Sequence, residues 1–251
     1  MNYYFDTEFI EDFTSRTLNI HSFRWTSKKH YVELISIGIV SEDGREYYAV
    51  SKDFDLRHVW NKHDTEWSGH LGEEPSKVYW LRENVLRPLH TDLCKNISGD
   101  MKNADYFQNL TEFSYQNLKS LISTYGKTNK EIAAEVELFT ARLKPADIEM
   151  LSYQQTCRAI RHMTLENPPV FYAYYADYDW VLFCSLFGRM LDLPKGYPMY
   201  CRDLKQMMDE TGAEEWKLKP PQVNEHHALA DARWNKALHT KILHFNQHVI
   251  G

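Results

Sequence analysis

Apolar and polar positions alternate at the start of the chain. Over residues 3–9, Asp6 and Glu8 fall on one parity and Phe5, Thr7 and Phe9 on the other. Residues two apart in a strand share a face, so the two acids stand side by side. The aromatic run Tyr3-Tyr4-Phe5 suits a central, buried strand. Residues 31–40 are rich in β-branched side chains and predict a second strand, with Glu42-Asp43-Gly44 as its turn and 45–51 as its hairpin partner. Together the three predict an antiparallel meander. Residues 11–30, between the first two, are polar and predict an irregular loop.

Farther on the period lengthens. Residues 80–86 open a short helix, and 103–166 are helical in pattern. Within that block, 103–125 and 130–143 carry apolar residues three and four apart, Ile132, Val136 and Phe139 among them. Pro145 sits where a proline opens a helix, here through Met163, and Pro168-Pro169 ends the block. Residues 170–175 predict a buried strand running at Asp177 into a helix that Gly188 closes. Residues 200–210 read as a short strand into a helix, 217–221 as a loop, and Asn224 as the cap of a last helix to about His244. The order of elements is that of an α/β protein.

Length and composition change this picture little. The chain has 251 residues and is 43% hydrophobic, enough for one domain over 1–251 with a mainly helical insertion at about 93–166. No stretch approaches the roughly 18 apolar residues of a membrane span, and no basic-then-apolar leader opens the chain. Cys94, Cys157, Cys184 and Cys201 are scattered, without a Cys-x-x-Cys pair. Reduced thiols in a cytoplasmic protein are expected, not zinc ligands or a disulfide frame. A net charge of −6 argues against a general nucleic-acid coat, yet leaves room for nucleic acid if metal ions neutralise some of the acids.

The acids are the candidate chemistry. Two carboxylates on a buried strand would each cost several kcal/mol unpaired, and a hard divalent cation between them would remove that cost. An exposed edge strand with two solvated acids is the alternative. Asp177 and Asp179 lie where a strand enters a helix, near its positive end; for Asp177, capping is the simpler role. Asp231 is surrounded by Ala228, Ala230 and Ala232, a small face that can lie close to a sheet. His226 precedes it by five residues, so it does not stack on the same helical face and sits at the helix start. A lone histidine is as readily a surface or core residue.

Together, Asp6-x-Glu8, an acid after a mid-chain strand and His226-x-x-x-x-Asp231 resemble the DEDDh 3′–5′ exonucleases. The likeness is greatest to the small bacterial and phage 3′–5′ exoribonuclease branch, in residues 4–12, 33–38 and 43–50. It resumes at 173–188, 200–209 and 226–233. The resemblance implies a ribonuclease H-like mixed five-stranded sheet, antiparallel at one edge, with helices on both faces. It implies two Mg²⁺ or Mn²⁺ ions on Asp6, Glu8, Asp179 and Asp231, with Asp177 as the fallback for Asp179. His226, which keeps the family's gap to Asp231 where His227 does not, would be the general base. The substrates implied are RNA or DNA 3′ ends, single-stranded or overhanging, with RNA favoured.

The chain also departs from that branch. The loop at 13–30 is longer and the helical middle is enlarged, so substrate preference does not carry over. Phe9 and Ile10 either wedge against the 3′-terminal base or pack in the core. Arg24, Trp25, Lys28 and Lys29 combine charge with an aromatic, as strand-binding surfaces do, or form a solvated loop; Lys217 and Lys219 stand in the same position toward phosphate. Two other functions remain open: a DNA-directed exonuclease, since the acids do not distinguish sugars, and a non-catalytic nucleic-acid adaptor, against which stands the full set of acids and histidine. The oligomeric state is open, a dimer included.

Overall fold

Tyr3 and Phe5 are buried on one side of the first strand and Tyr4 and Ile10 on the other, so this strand has apolar cover on both faces. A computed structural model describes residues 1–20, 23–66, 75–97, 109–143, 149 and 151–249. The strand is β1 (Asn2–Ile20), and it pairs antiparallel with β2 (Phe23–Ser41). Strand β3 (Glu46–Val50) completes the meander on β2. A small ribbon, β4 (Asp64–Glu66) with β5 (Ser76–Val78), stands apart. On its other side β1 pairs parallel with β6 (Val170–Ala173), which pairs parallel with β7 (Arg202–Asp203). The order β3-β2-β1-β6-β7 puts β1 in the centre of a mixed five-stranded sheet, antiparallel at one edge. This is the sheet the sequence predicted.

Helices cover both faces. After α1 (Leu56–Asn61), a π-helical turn (Arg82–Leu86) enters α2 (Arg87–Ile97). Helix α3 (Tyr115–Tyr125) is capped by Ser114, and α4 (Asn129–Thr140) by a Thr128–Glu131 capping box. Leu86 and Leu89 of the α2 region and Leu118 and Leu121 of α3 pack with Ile10 and Ile35 on one face. Ile132 and Val136 of α4 and Leu182 and Phe183 of α6 (Asp177–Phe187) pack with Tyr3 and Phe5 on the other. Two helices of the middle block therefore serve opposite faces of the sheet. Farther along come α5 (Tyr153–Glu166), α7 (Leu204–Glu210), α8 (Glu215–Leu218) and α9 (Ala228–Val249).

Helix α9 lies across the face that carries Tyr4, Asp6 and Glu8, and it lies unusually close. Asp6 is paired in register with Gly38 of β2. A Cβ on Gly38 would collide with the backbone of Ala228 and Leu229 in the first turn of α9. Ala228 and Ala232 are fully buried against the sheet. Small residues on both partners thus bring the helix backbone down onto the strand. Two further residues, each one turn on from the last, fasten it there: Asn235 Nδ2 donates to the Phe5 carbonyl (2.9 Å), and His239 Nδ1 bonds the Tyr4 hydroxyl (2.8 Å).

Several local expectations are corrected. Residues 13–20 and 23–30 are not an irregular loop. The β1–β2 ladder continues through them to Ile20–Phe23, because alternating Thr and Ser positions pair well across strands without a core beneath them; Thr17 and Thr26 hydroxyls, for example, meet at 3.2 Å. Pro145 and residues 103–108 lie outside the described residues. Among the described residues, helices run from Tyr153, behind a Ser152–Gln155 capping box, and from Tyr115. Asn224 does not cap α9: it has φ +58° and lies four residues ahead of the helix. Asp177 is not a cap either, since Ala176 holds that position without a side-chain bond. Residues 215–218 form a helical turn where a loop was expected.

The close approach of α9 gives a direct test. Gly38→Ala should lower the unfolding free energy by about 1–3 kcal/mol or more, as overpacking does where the obstacle is backbone. Urea denaturation measures it. A change below about 0.5 kcal/mol, the range of an ordinary surface substitution, would show that α9 does not rest on Gly38.

Candidate active site

Beyond Tyr4, β1 runs past the end of β6, and its backbone groups on that side lack a neighbouring strand. Side chains from helices on opposite faces take them instead. Asn235 of α9 caps the Phe5 carbonyl, while Asp179 of α6 accepts from the Thr7 amide at 2.9 Å and from its hydroxyl. The two helices converge on the stretch of strand that carries the acids. As a result Asp6, Glu8 and Asp231 each place a carboxylate oxygen within 4.8 Å of the others. Asp179 lines the same cleft, with Oδ1 committed to Thr7. Four of the predicted site residues are thus brought together.

Such crowding is electrostatically unfavourable, and it shows in the acidities. Burial pushes the Glu8 carboxyl, only 8% exposed, up to about 8, and the Asp231 and Asp179 carboxylates add to the shift. Asp179, 6% exposed, rises to about 7 through burial, although its bonds from Thr7 oppose the change. Asp6 is raised by burial first and then by Asp179, Glu8 and Asp231. Asp231 is raised by burial and restrained by its bonds from Gln222 and the His227 amide. Among the described residues no lysine or arginine forms an ion pair with any of the four. An all-oxygen, acid-rich cluster without a protein counter-charge fits hard divalent cations such as Mg²⁺ or Mn²⁺.

The paired candidates of the sequence separate clearly. Asp177 is exposed on the outer side of α6, and Asp179 points inward. His226 lines the cleft and meets Trp80 edge-on at 4.7 Å. His227 turns away: its Nε2 bonds Asp92 of α2 and its ring stacks on Tyr48. His226 has φ +63°, and Tyr175, also lining the cleft, has φ +55°. Non-glycine residues in this conformation cost about 1–3 kcal/mol each and persist where their surroundings enforce them. The cleft has a volume of about 640 Å³.

Phe9 lines this cleft and packs on Tyr178 at 5.4 Å. Ile10 does not reach it; at 1% exposed it belongs to the core beneath α2 and α3. Lys219 lines the cleft beside Tyr174, whereas Lys217 sits over the Trp216 ring. Trp80, Tyr174, Tyr175 and Tyr178 supply aromatic walls that the sequence reading did not single out. The three tyrosines are neighbours in sequence, and only long-range packing brings Trp80 to the same cleft. Thr7 was legible in principle, since it sits between the two acids of the first motif.

The sequence model of the Rv2179c-like 3′-5′ exoribonuclease domain matches residues 23–243. The protein named 3′-5′ exoribonuclease Rv2179c, from Mycobacterium tuberculosis strain ATCC 25618 / H37Rv, is 28% identical over 233 residues, covering 93% of this chain and 88% of that protein. The one named 3′-5′ exoribonuclease MT2234.1, from strain CDC 1551 / Oshkosh, matches to the same extent. Asp6 and Glu8 precede the stretch matched by the family model, so their assignment to the site rests on the geometry.

The raised carboxyl groups predict how stability depends on pH in metal-free protein. Their protonated forms are favoured in the fold. This contribution is complete below the ordinary carboxylate values of 3.8 and 4.5 and is lost as pH rises through about 7 for Asp179 and about 8 for Glu8. Buried His90 and His239 shift downward and act in the opposite sense, but below about pH 6.5. With chelator present, Tm should therefore fall between about pH 6.5, above which the histidines no longer oppose it, and about pH 8, where Glu8 loses its proton in the fold as well, and Asp6→Asn should reduce the fall. A wild-type Tm that is flat or rising across that window would contradict the crowding.

Proposed function

The chain belongs to the Rv2179c-like 3′-5′ exoribonuclease family, and on that premise we propose that it removes nucleotides one at a time from single-stranded or overhanging RNA 3′ ends. The observation that carries this reading is the cluster of Asp6, Glu8 and Asp231 oxygens within 4.8 Å, in a cleft shared with Asp179 and His226. In finer terms, we place the protein among the DEDDh exonucleases of ribonuclease H-like fold. The mixed sheet with β1 at its centre supports that assignment. Asp6, Glu8, Asp179 and Asp231 would hold two divalent ions, Mg²⁺ or Mn²⁺. When bound, these supply positive charge at the scissile phosphate and lower the pKa of water.

The chain's own residues supply the rest. Water attacks phosphorus, the bond to the 3′-oxygen breaks, that oxygen takes up a proton from solvent, and a nucleoside 5′-monophosphate departs from a chain one residue shorter. His226, at the cleft wall with Trp80 edge-on to its ring, takes the proton from the attacking water. Thr7 holds Asp179 in place, and Gln222 with the His227 amide holds Asp231. Phe9 and Tyr178 form an aromatic pair against which the terminal base can stack regardless of its identity. Lys219 and Lys62 are the lysines that line the cleft and could meet a substrate phosphate. Among the described residues no helix is long and apolar enough to cross a membrane. The four cysteines are unpaired, which supports a reducing, cytoplasmic setting.

The test is a time course on 5′-labelled RNA, with matched DNA alongside. A ladder shortening from the 3′ end of the RNA is expected. His226→Ala should lower the single-turnover rate about 10²–10⁴-fold, the usual worth of a general base, and leave Mn²⁺ binding intact by calorimetry. Asp231→Ala should abolish both. Equal rates for wild type and His226→Ala would remove the histidine from the chemistry, and preferential digestion of the DNA would reverse the choice of substrate.

A further inference from the structure

The extension of the β1–β2 hairpin beyond the sheet has no role in the cleft chemistry. Its composition is unlike that of the rest of the chain. Residues 13–30 contain Arg16, Arg24, Lys28 and Lys29 and no aspartate or glutamate; with these four cations set aside, the net charge of −6 becomes −10. Every described side chain in this stretch is exposed, Phe13 at 57% and Trp25 at 68% among them. An isolated two-stranded ribbon is marginal in water, so a ligand lying along it would stabilise it. Clustered cations interleaved with exposed aromatics are the features that bind single-stranded nucleic acid, through the backbone charge and through stacking.

The ribbon also begins at the cleft. Phe9 and Glu11 line the cleft, and Phe13 follows at the same parity, on the same face of β1. Cross-strand pairs share a face, so His30 opposite Phe13 and Lys28 opposite Ser15 complete a strip along it. Glu11 is the acid at the start of this strip, and it is occupied: its carboxylate accepts from the Tyr178 hydroxyl (2.8 Å) and bonds His30 (2.7 Å). Beyond it, Lys28 stands 6.0 Å from the centre of the Phe13 ring, and much of that ring remains open. On the opposite face Lys62 and His58 bond Asp12 and tie the base of the ribbon to the body of the protein.

We propose that this face of the ribbon, with Phe13 and Lys28 at its centre, binds the single-stranded RNA on the 5′ side of the nucleotide held in the cleft. The proposal rests on the reading of the cleft as a site for RNA 3′ ends and adds a second contact region to it. From Glu11 to Ile20 the ribbon extends about 30 Å, at about 3.3 Å per residue. A dinucleotide in the cleft is too short to use it, whereas a 20-nucleotide strand can follow it. Substrate length therefore separates the ribbon's role from that of the catalytic groups.

Two measurements on the full chain test this. In the first, fluorescence anisotropy follows binding of a labelled, unstructured 20-nucleotide RNA in the presence of chelator, at several salt concentrations. In the second, single-turnover hydrolysis is compared for that RNA and for a dinucleotide. Phe13→Ala/Lys28→Ala should weaken binding of the long RNA about tenfold or more, the worth of one stacked base and one phosphate contact. It should also flatten the logarithmic salt dependence by about 0.7, the value for one phosphate on a single strand. Dinucleotide turnover should stay within twofold of wild type, and Trp25→Ala/Lys29→Ala, on the opposite face, should weaken binding less than threefold. Long-RNA affinity within twofold of wild type for Phe13→Ala/Lys28→Ala would overturn the proposal, as would a parallel loss of dinucleotide turnover. So would sedimentation showing that the ribbon joins two copies of the chain and is covered in solution. A wild-type protein that binds the long RNA as described and hydrolyses neither substrate would overturn the exonuclease reading alone.

Discussion

The site exists because the central strand outruns its parallel neighbour. Pairing of β1 with β6 ends at Tyr4, and backbone groups left without a partner in a protein interior must find one. Asn235, from the helix on one face, takes the Phe5 carbonyl; Asp179, from the helix on the other, takes the Thr7 amide. Each bond satisfies a strand edge and, by the same geometry, fixes the helix that delivers an acid. Asp231 lies one turn before Asn235, so capping Phe5 brings that carboxylate over Asp6 and Glu8. The absence of a side chain at Gly38 lets α9 come close enough to do so.

This arrangement trades stability for chemistry. Four carboxylates share a small cleft without a lysine or arginine paired to them among the described residues, and burial raises the pKa of each. A fold selected only for stability would place a cation side chain there. Two strained residues, Tyr175 and His226, add to the unfavourable balance along the same rim. The apolar clusters on both faces of β1 offset it: Tyr4 joins the cluster under α9, Ile10 the cluster under α2 and α3, and the acids occupy the gap between them.

Much of this was legible in the sequence, for reasons that differ from element to element. The parity of Asp6 and Glu8 against Phe5, Thr7 and Phe9 is a local property of a strand and survives folding intact. The alanines around Asp231 announced a close helix–sheet contact, though nothing marked Gly38 as the residue that receives it. His226 and His227 could be told apart only by their spacing to Asp231; the structure adds that Asp92 and Tyr48 hold His227 elsewhere. The ribbon was missed because it buries nothing, and a strand signal based on hydrophobic alternation is silent where both faces are exposed. Ile10 looked like a neighbour of the site because it adjoins Phe9 and shares the acids' parity, but α2 and α3 cover it. The aromatic walls come from two distant segments, Trp80 and the stretch 174–178, and only folding brings them together.

The central claim is that convergence of α6 and α9 on the free edge of β1 builds a site for divalent cations. The most direct measurement is anomalous diffraction from crystals of the protein soaked in Mn²⁺. Two peaks are predicted, one bonded to oxygens of Asp6, Glu8 and Asp231 and a second nearby that includes Asp179. A map with no peak at these carboxylates, or with Mn²⁺ bound only elsewhere on the protein, would contradict the account.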